Sequence, residues 1–261
     1  PFVLPTVVVG TALLALVGPR GPLGLDLSGT VWGILLAHVF FNYAVVVRTV
    51  GGLIGRIDPA LEQAARVLGA SPWRAFREVT WPLVRPAVLS AALVVFLFTF
   101  TSFGVVKILG GGRVRTLETQ IYTETVDYLD LRAAAVLALV QLAAVVAVLL
   151  VVSRAQRRAA DAQALVPERE VLRRPRTLGE RLFVLANVLL VVVLLGTPLA
   201  VLVVRSLSVG DGWGLRWYRT LFEDTGSTAY VPPVDAVANS LVYGVLAAAI
   251  ALVVGVCAAV P

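Results

Sequence analysis

The sequence predicts an all-α, polytopic transmembrane helical bundle of about six spans, and three observations carry that expectation. Hydrophobic residues make up 59% of the 261-residue chain and charged residues only 15%, against roughly 25% charged in an ordinary soluble domain. The excess is blocky, with several apolar runs reaching the roughly 18 residues that read as a membrane span. The net charge of +6 is gathered between these runs, and every basic residue except Lys107 is an arginine. Such placement is the signature of cytoplasmic loops and not of a nucleic-acid surface.

The elements follow in order. Phe2–Val17 is apolar throughout and reads as the end of a span. Gly18–Gly29 is a turn-rich loop. Thr30–Val50 is a second span, interrupted by His38, Asn42, Tyr43 and Arg48. Gly51–Arg85 is a polar, basic connector. Ala87–Val106 is a third span of about 20 residues, a length that matches a hydrocarbon core of roughly 30 Å. Lys107–Arg132 is the next loop, Ala133–Val152 a charge-free fourth span, and Ser153–Arg181 a strongly basic linker. Leu182–Val204 and Ala236–Val260 are the fifth and sixth spans. Between them, Arg205–Asp235 carries Trp213, Trp217, Tyr218 and Tyr230, which suit an interface belt.

Counting Arg and Lys in alternate loops sets the orientation. The connector with Arg48 holds six and the linker eight; the alternating loops hold one, four and three. Both heavily basic segments have the same parity, so both are expected in the cytoplasm. With no methionine, a first residue inside one apolar run and a last residue at the end of another, the chain is expected to be a piece of a longer polytopic protein.

The connector has a structure of its own to predict. Asp58-Pro59 is a helix start, because Asp caps free amides and Pro fits the first helical position. Leu61, Ala64, Ala65 and Leu68 then make one apolar stripe, with Glu62, Gln63 and Arg66 on the other side and Glu62 to Arg66 in the favourable i,i+4 order. Gly69 ends the helix in a left-handed conformation. Ser71-Pro72 repeats the start; Trp73, Phe76 and Val79 or Thr80 form a second stripe, and Pro82 and Pro86 are expected to stop it before the next span. Two short helices with a Gly corner would lie on the cytoplasmic membrane face. A DNA-binding helix-turn-helix needs a third helix, which this doubly tethered segment lacks. A plain amphipathic surface helix leaves the small-residue seam Ala64-Ala65 and Gly69 unexplained; small side chains let a partner approach the backbone closely.

The stretch Glu62-Gln63-Ala64-Ala65, Gly69, Val79 and Pro82 resembles the EAA loop of binding-protein-dependent ABC importer permeases. That loop reads Glu-Ala-Ala, three residues, Gly, nine residues, Ile, one residue, Leu-Pro. Counted from Gly69, Gln63 stands at the Glu position, Ala64 and Ala65 match, Val79 stands for Ile, Trp81 for Leu, and Pro82 matches. Glu62 places a carboxylate one position early. Thr101-Ser102-Phe103-Gly104, Leu109-Gly110-Gly111-Gly112 and Thr116–Tyr122 are similar to the ferric-iron and thiamine permeases, which resemble two modules fused in one chain. The resemblance implies that residues 1–152 are the later part of a first module, 153–181 a cytoplasmic linker, and 182–261 the first two spans of a second. It implies coupling to a separate ATPase subunit, expected as a dimer, and delivery of a ferric-iron or thiamine type of solute by an extracytoplasmic binding protein. The expected place is the bacterial inner membrane, crossed several times.

Candidate pathway residues are the polar groups at membrane depth. His38 and Asn42 share one face with Tyr43 beside them; Thr99, Thr101 and Ser102 form a second cluster, and Asn239, Ser240 and Tyr243 a third. Two roles stay open for each: hydrogen bonding between helices, or lining a path. No catalytic set is legible and no metal site is expected, since one His and the lone Cys257 supply too few ligands. Gly110–Gly112 reads as a turn, lacking the Lys-Ser/Thr of a phosphate loop. With no nucleotide motif, ATP hydrolysis is expected on another subunit and no cofactor in this chain. The rival readings are a polytopic membrane enzyme and a non-transporting receptor or scaffold.

Overall fold

The computed structural model of the chain describes residues 4–160, 175, 177–210, 212–223 and 232–259. It divides into two compact units, split between Val201 and Leu202. The middle of the basic linker, residues 161–174 with 176, lies outside the described residues, as does Tyr230 of the aromatic group.

Among the described residues, the first unit is built of helices and the loops that join them. Helix α1 spans Thr6–Val17, and α2 runs from Val31 to Ile54 through a wide π turn at Val47–Gly51. Thr30 caps α2 by accepting from the Gly33 amide at 3.3 Å. In the preceding loop Asp26 accepts from the Ser28 hydroxyl and amide, which holds its carboxyl below the ordinary carboxylate range. The connector helix α3 spans Pro59–Val67, and α4 runs from Pro72 to Phe100. Two short helices follow, α5 at Gly104–Leu109 and α6 at Leu117–Tyr122. Asp130 then caps α7, Leu131–Ala160, by accepting from the amides of Arg132 and Ala133.

The core sits where α1, α2 and α5 meet. Val9, Leu13, Phe40, Val105 and Leu109 are buried there in one cluster. Leu195 and Val201 of α8, Leu178–Leu207, pack against it, and Pro198 in the same helix is fully buried. The rest of the long helices is largely bare. Leu139, Leu142, Leu149, Leu185 and Leu189 are exposed, as helices that meet lipid must be.

Among the described residues, five helices are long and apolar enough to cross a bilayer: Val31–Ile54, Pro72–Phe100, Leu131–Arg154, Leu178–Leu207 and Pro233–Ala259. The multi-pass membrane protein expected from the sequence is therefore what the fold shows. The first expected span corresponds to the 12 residues of α1; at about 1.5 Å per residue that helix falls short of a roughly 30 Å core.

Three sequence expectations need correction. Pro82 and Pro86 do not stop the second connector helix, which continues unbroken into the third span as α4. The backbone widens into a π turn at Phe76–Thr80, just before Pro82. This relaxes the spacing to the preceding carbonyls that a proline ring would otherwise strike. The third span does not run to Val106: α4 ends at Phe100 and the chain breaks at Thr101–Phe103. Gly104 explains the break, because a Cβ there would lie 2.5 Å from Oγ1 of Thr6. Only a bare backbone lets α5 lie against α1. Finally, Lys107–Arg132 is not simply a loop. Thr116 and Thr119 form a reciprocal cap that starts α6, and a π turn extends it through Asp127.

The second unit holds the end of α8 from Leu202, a two-stranded antiparallel hairpin (β1, Ser208–Val209; β2, Gly212–Trp213), the short helix α9 at Arg216–Arg219, and α10 at Pro233–Ala259. Indole Nε1 of Trp217 donates to the Ser208 carbonyl at 2.8 Å, fastening α9 to the hairpin. Trp213, Trp217 and Tyr218 are all exposed.

Candidate functional site

Two places in the first unit gather the residues singled out in the sequence. The connector is built by local capping. Oδ1 of Asp58 accepts from the Ala60 amide at 2.8 Å, with Pro59 at the first helical position. At the other end Gly69 has φ +91°. Its amide donates to Arg66 O, and the Ala70 amide donates to Ala65 O, both at 3.0 Å. That pair of bonds is the Schellman ending, which requires a left-handed residue. Nothing lies within 4 Å of a Cβ placed on Gly69, so φ alone, and not crowding, demands glycine. Ser71 caps the next helix by accepting from the Arg74 amide at 3.3 Å.

The connector's polar and apolar faces differ from the expected assignment. Glu62 turns inward: Oγ1 of Thr80 donates to its Oε2 at 3.2 Å, tying α3 to the foot of α4. The ion pair with Arg66 is replaced by this bond, because α4 passes close beneath α3 and offers a fixed hydroxyl. The apolar stripe faces out. Leu61 is 48% exposed, Val67 87% and Leu68 88%. Ala64 and Gln63 are exposed, Ala65 and Val79 half-buried, and Pro82 exposed at the foot of the span. Trp73 and Phe76 stack at 5.7 Å, with both rings still exposed. Beneath them Ala75 is fully buried. Arg74 and Glu78 pair at 3.1 Å on the surface.

The second place is a cavity of about 380 Å³ lined by Leu4, Thr6, His38, Phe41, Asn42, Phe98, Thr101, Ser102, Phe103 and Gly104. Of the candidate pathway residues it brings together His38, Asn42 and Ser102, each at most 8% exposed. Thr99 joins through a hydrogen bond: Nδ2 of Asn42 donates to its Oγ1 at 3.4 Å and to the His38 carbonyl at 2.9 Å. Oδ1 of Asn42 is buried without a partner. Tyr43 is half-buried and stands outside the lining. Asn239 and Ser240 belong to the second unit, exposed on α10, and the Ser240 hydroxyl donates to the Ala236 carbonyl.

Several participants were not singled out as site residues in the sequence. Thr80 braces Glu62, and its only signal was its place in the second stripe. Thr6 of α1, Phe41 of α2 and Phe98 of α4 also line the cavity, and Phe103 lines it from the break at Thr101–Phe103, which hydropathy reads as continuous span. Nε2 of Gln141, within α7, donates to Oε1 of Glu118 at 2.6 Å, pinning α6 to a span. Among the described residues no group of three metal-ligating side chains occurs.

Residues 1–163 match the family described as binding-protein-dependent transport system inner membrane component. The molybdenum transport system permease protein ModB of Azotobacter vinelandii is 35% identical over 49% of this chain and 62% of its own length. The thiamine transport system permease protein ThiP of Haemophilus influenzae is 36% identical over 54% of this chain and 28% of its own. A probable sulfate transport system permease protein, cysT of Chlorella vulgaris, is 36% identical over 40% of this chain and 42% of its own. The chain thus spans less than two thirds of each. These names divide among three solutes, so likeness by itself singles out none. The family match covers more than half of the chain and falls on the unit that carries both the capped connector and the polar cavity. The chain belongs to the family of binding-protein-dependent transport system inner membrane components.

Proposed function

We propose that the chain is part of the membrane-embedded permease of an ATP-driven importer, and that the connector is its coupling element. The observation that carries this reading is the outward ridge of Leu61, Val67 and Leu68 on a helix held rigidly at both ends. Bare leucine and valine on a short, well-capped helix are costly in water unless a partner covers them. The partner is a separate ATPase subunit, expected as a dimer, whose cleft receives α3 and the Gly69 corner. Movement of that cleft passes through the Thr80–Glu62 bond into α4, one continuous helix from the connector to Phe100. The loop therefore acts as a lever on a span, in rigid-body rocking of the kind transporters use.

The remaining assignments belong to the same proposal. Both basic segments face the cytoplasm. The segment 1–152 is the later part of one module and 182–261 the start of another; the end of the family match at residue 163, inside the linker, supports that division. An extracytoplasmic binding protein delivers a small solute, of thiamine or ferric-iron type by resemblance and with molybdate and sulfate among the relatives' printed names. His38, Asn42, Thr99 and Ser102 line or brace the path. The test is uptake by the full-length permease with and without its co-expressed ATPase. Uptake that depends on both supports the reading. A permease that reaches the membrane and neither binds an ATPase nor moves a solute contradicts it.

A further inference from the structure

The second unit carries charged side chains of both signs that line one cavity without pairing. Helix α8 holds 30 residues, roughly 45 Å of helix against a hydrocarbon core of about 30 Å, so its ends reach the membrane surface. The hairpin starts at the very next residue, Ser208. It is tied to the helix end: the Gly214 amide donates to the Leu207 carbonyl at 2.8 Å, and the hydroxyls of Ser206 and Tyr218 meet at 2.8 Å. A cavity of about 620 Å³ opens on this element, with Trp213, Leu215, Arg216, Arg219 and Glu223 in its lining. Among the described residues, neither arginine forms an ion pair, and Glu223 forms none either.

We propose that this cavity takes the headgroup of phosphatidylethanolamine at the edge of the bilayer that α8 crosses, with Arg216 and Arg219 on the phosphate and Glu223 on the ammonium. The inference goes beyond the importer reading and needs only that α8 spans a membrane. Arg216 and Arg219 stand three positions apart on α9, neighbours on one helical face, and guanidinium forks match phosphate oxygens. The Arg216 guanidinium lies over the Trp217 ring, 6.0 Å from its centre. Glu223 sets the headgroup class. A purely anionic headgroup would be repelled by it, whereas a primary ammonium donates to it and is drawn to the Trp213 indole as well. A trimethylated ammonium has no N–H to give. The same element leaves Trp213, Leu215, Leu221 and Phe222 exposed beside these charges. Continuity with a membrane helix says what covers them: apolar ring bodies meet acyl chains while the charged groups meet headgroups. A lipid held there fixes the depth and tilt of α8.

The experiment uses the full-length permease, delipidated in detergent and offered an equimolar mixture of phosphatidylethanolamine, phosphatidylglycerol and phosphatidylcholine. Retained lipid is counted by native mass spectrometry, and a second arm adds soluble phosphoethanolamine as competitor. Phosphatidylethanolamine should be retained at least threefold over either other lipid. The double variant Arg216→Gln, Arg219→Gln should lower its retention at least fivefold and Trp213→Ser several-fold. Glu223→Gln should erase the preference over phosphatidylcholine without lowering retention of phosphatidylglycerol. All these side chains are exposed, so thermal unfolding of the variants should match wild type. Equal retention of the three lipids, tighter retention of phosphatidylglycerol, an unchanged preference in Glu223→Gln, or displacement by soluble phosphoethanolamine at equal concentration would overturn the proposal. The lipid preference and the competition are read on the wild-type protein, so they decide the matter whatever a variant does to folding. ATPase co-purification is untouched by any of these outcomes, and the importer reading is judged separately.

Discussion

The connector and the cavity wall are built on opposite principles. The connector holds its shape by local bonds, with Asp58, Ser71 and the Gly69 ending each satisfying backbone groups a few residues away. Its apolar side chains are left facing out. At the cavity wall polar side chains are buried, and contacts from distant parts of the chain join the local ones. Asn42 reaches Thr99, and Gly104 lies against Thr6. A locally braced element keeps its form while it docks and undocks. A wall made of contacts between helices changes when the helices move. The difference matches a division of labour between coupling and passage.

The comparison breaks most easily at Gly69. Gly69→Val puts a β-branched residue at φ +91°, where even an unbranched residue costs roughly 1–2 kcal/mol. The corner should deform without harm to the bundle, so the permease should reach the membrane in normal amounts yet lose most ATPase retention and uptake. Gly104→Val sharpens the other side of the comparison. Its Cβ would fall 2.5 Å from Oγ1 of Thr6, forcing α5 off α1. Thermal unfolding of the purified permease should drop by several degrees and membrane levels should fall, a folding defect and not a coupling defect.

Smaller effects are expected where the two principles meet. Thr80→Val removes the hydroxyl that braces Glu62, a part-buried bond worth about 1 kcal/mol. ATPase binding should persist while solute-stimulated ATP hydrolysis falls several-fold, because docking is intact and transmission is loosened. Arg74→Gln should do least. Its pair with Glu78 is exposed at both ends, 67% and 56%, and pairs of that kind contribute about 0.3–0.5 kcal/mol. Uptake within twofold of wild type is the expected result.

The same division explains what the sequence made legible. Capping residues act on their neighbours, so Asp58-Pro59, Ser71-Pro72 and Gly69 announced the connector's two helix starts and its corner. Apolar run lengths likewise gave four of the five long spans to within a few residues; the third is the exception, since its helix begins at Pro72 and ends at Phe100. What depends on tertiary contact stayed hidden. Pro82 and Pro86 read as helix stops because a π turn upstream has no residue signature. Glu62 read as the partner of Arg66 because its true partner Thr80 sits 18 residues away. The break at Ser102 is invisible to hydropathy, since only the approach of Thr6 gives Gly104 its meaning. His38 and Asn42 were recognisable as polar groups at membrane depth, while the phenylalanines sharing their cavity looked like ordinary lipid-facing residues.

The outward ridge is the centre of this account, and Leu68 tests it most directly. At 88% exposed it contributes almost nothing to the permease's own packing, so Leu68→Glu should leave folding and membrane level unchanged. The measurement is co-purification of the ATPase with full-length permease carrying Leu68→Glu, alongside Arg74→Gln as the surface control. The account predicts that the ATPase is lost from the Leu68→Glu permease and retained by the control. Equal retention of the ATPase by both, with normal uptake, would show that the ridge is an ordinary amphipathic surface and that coupling runs elsewhere.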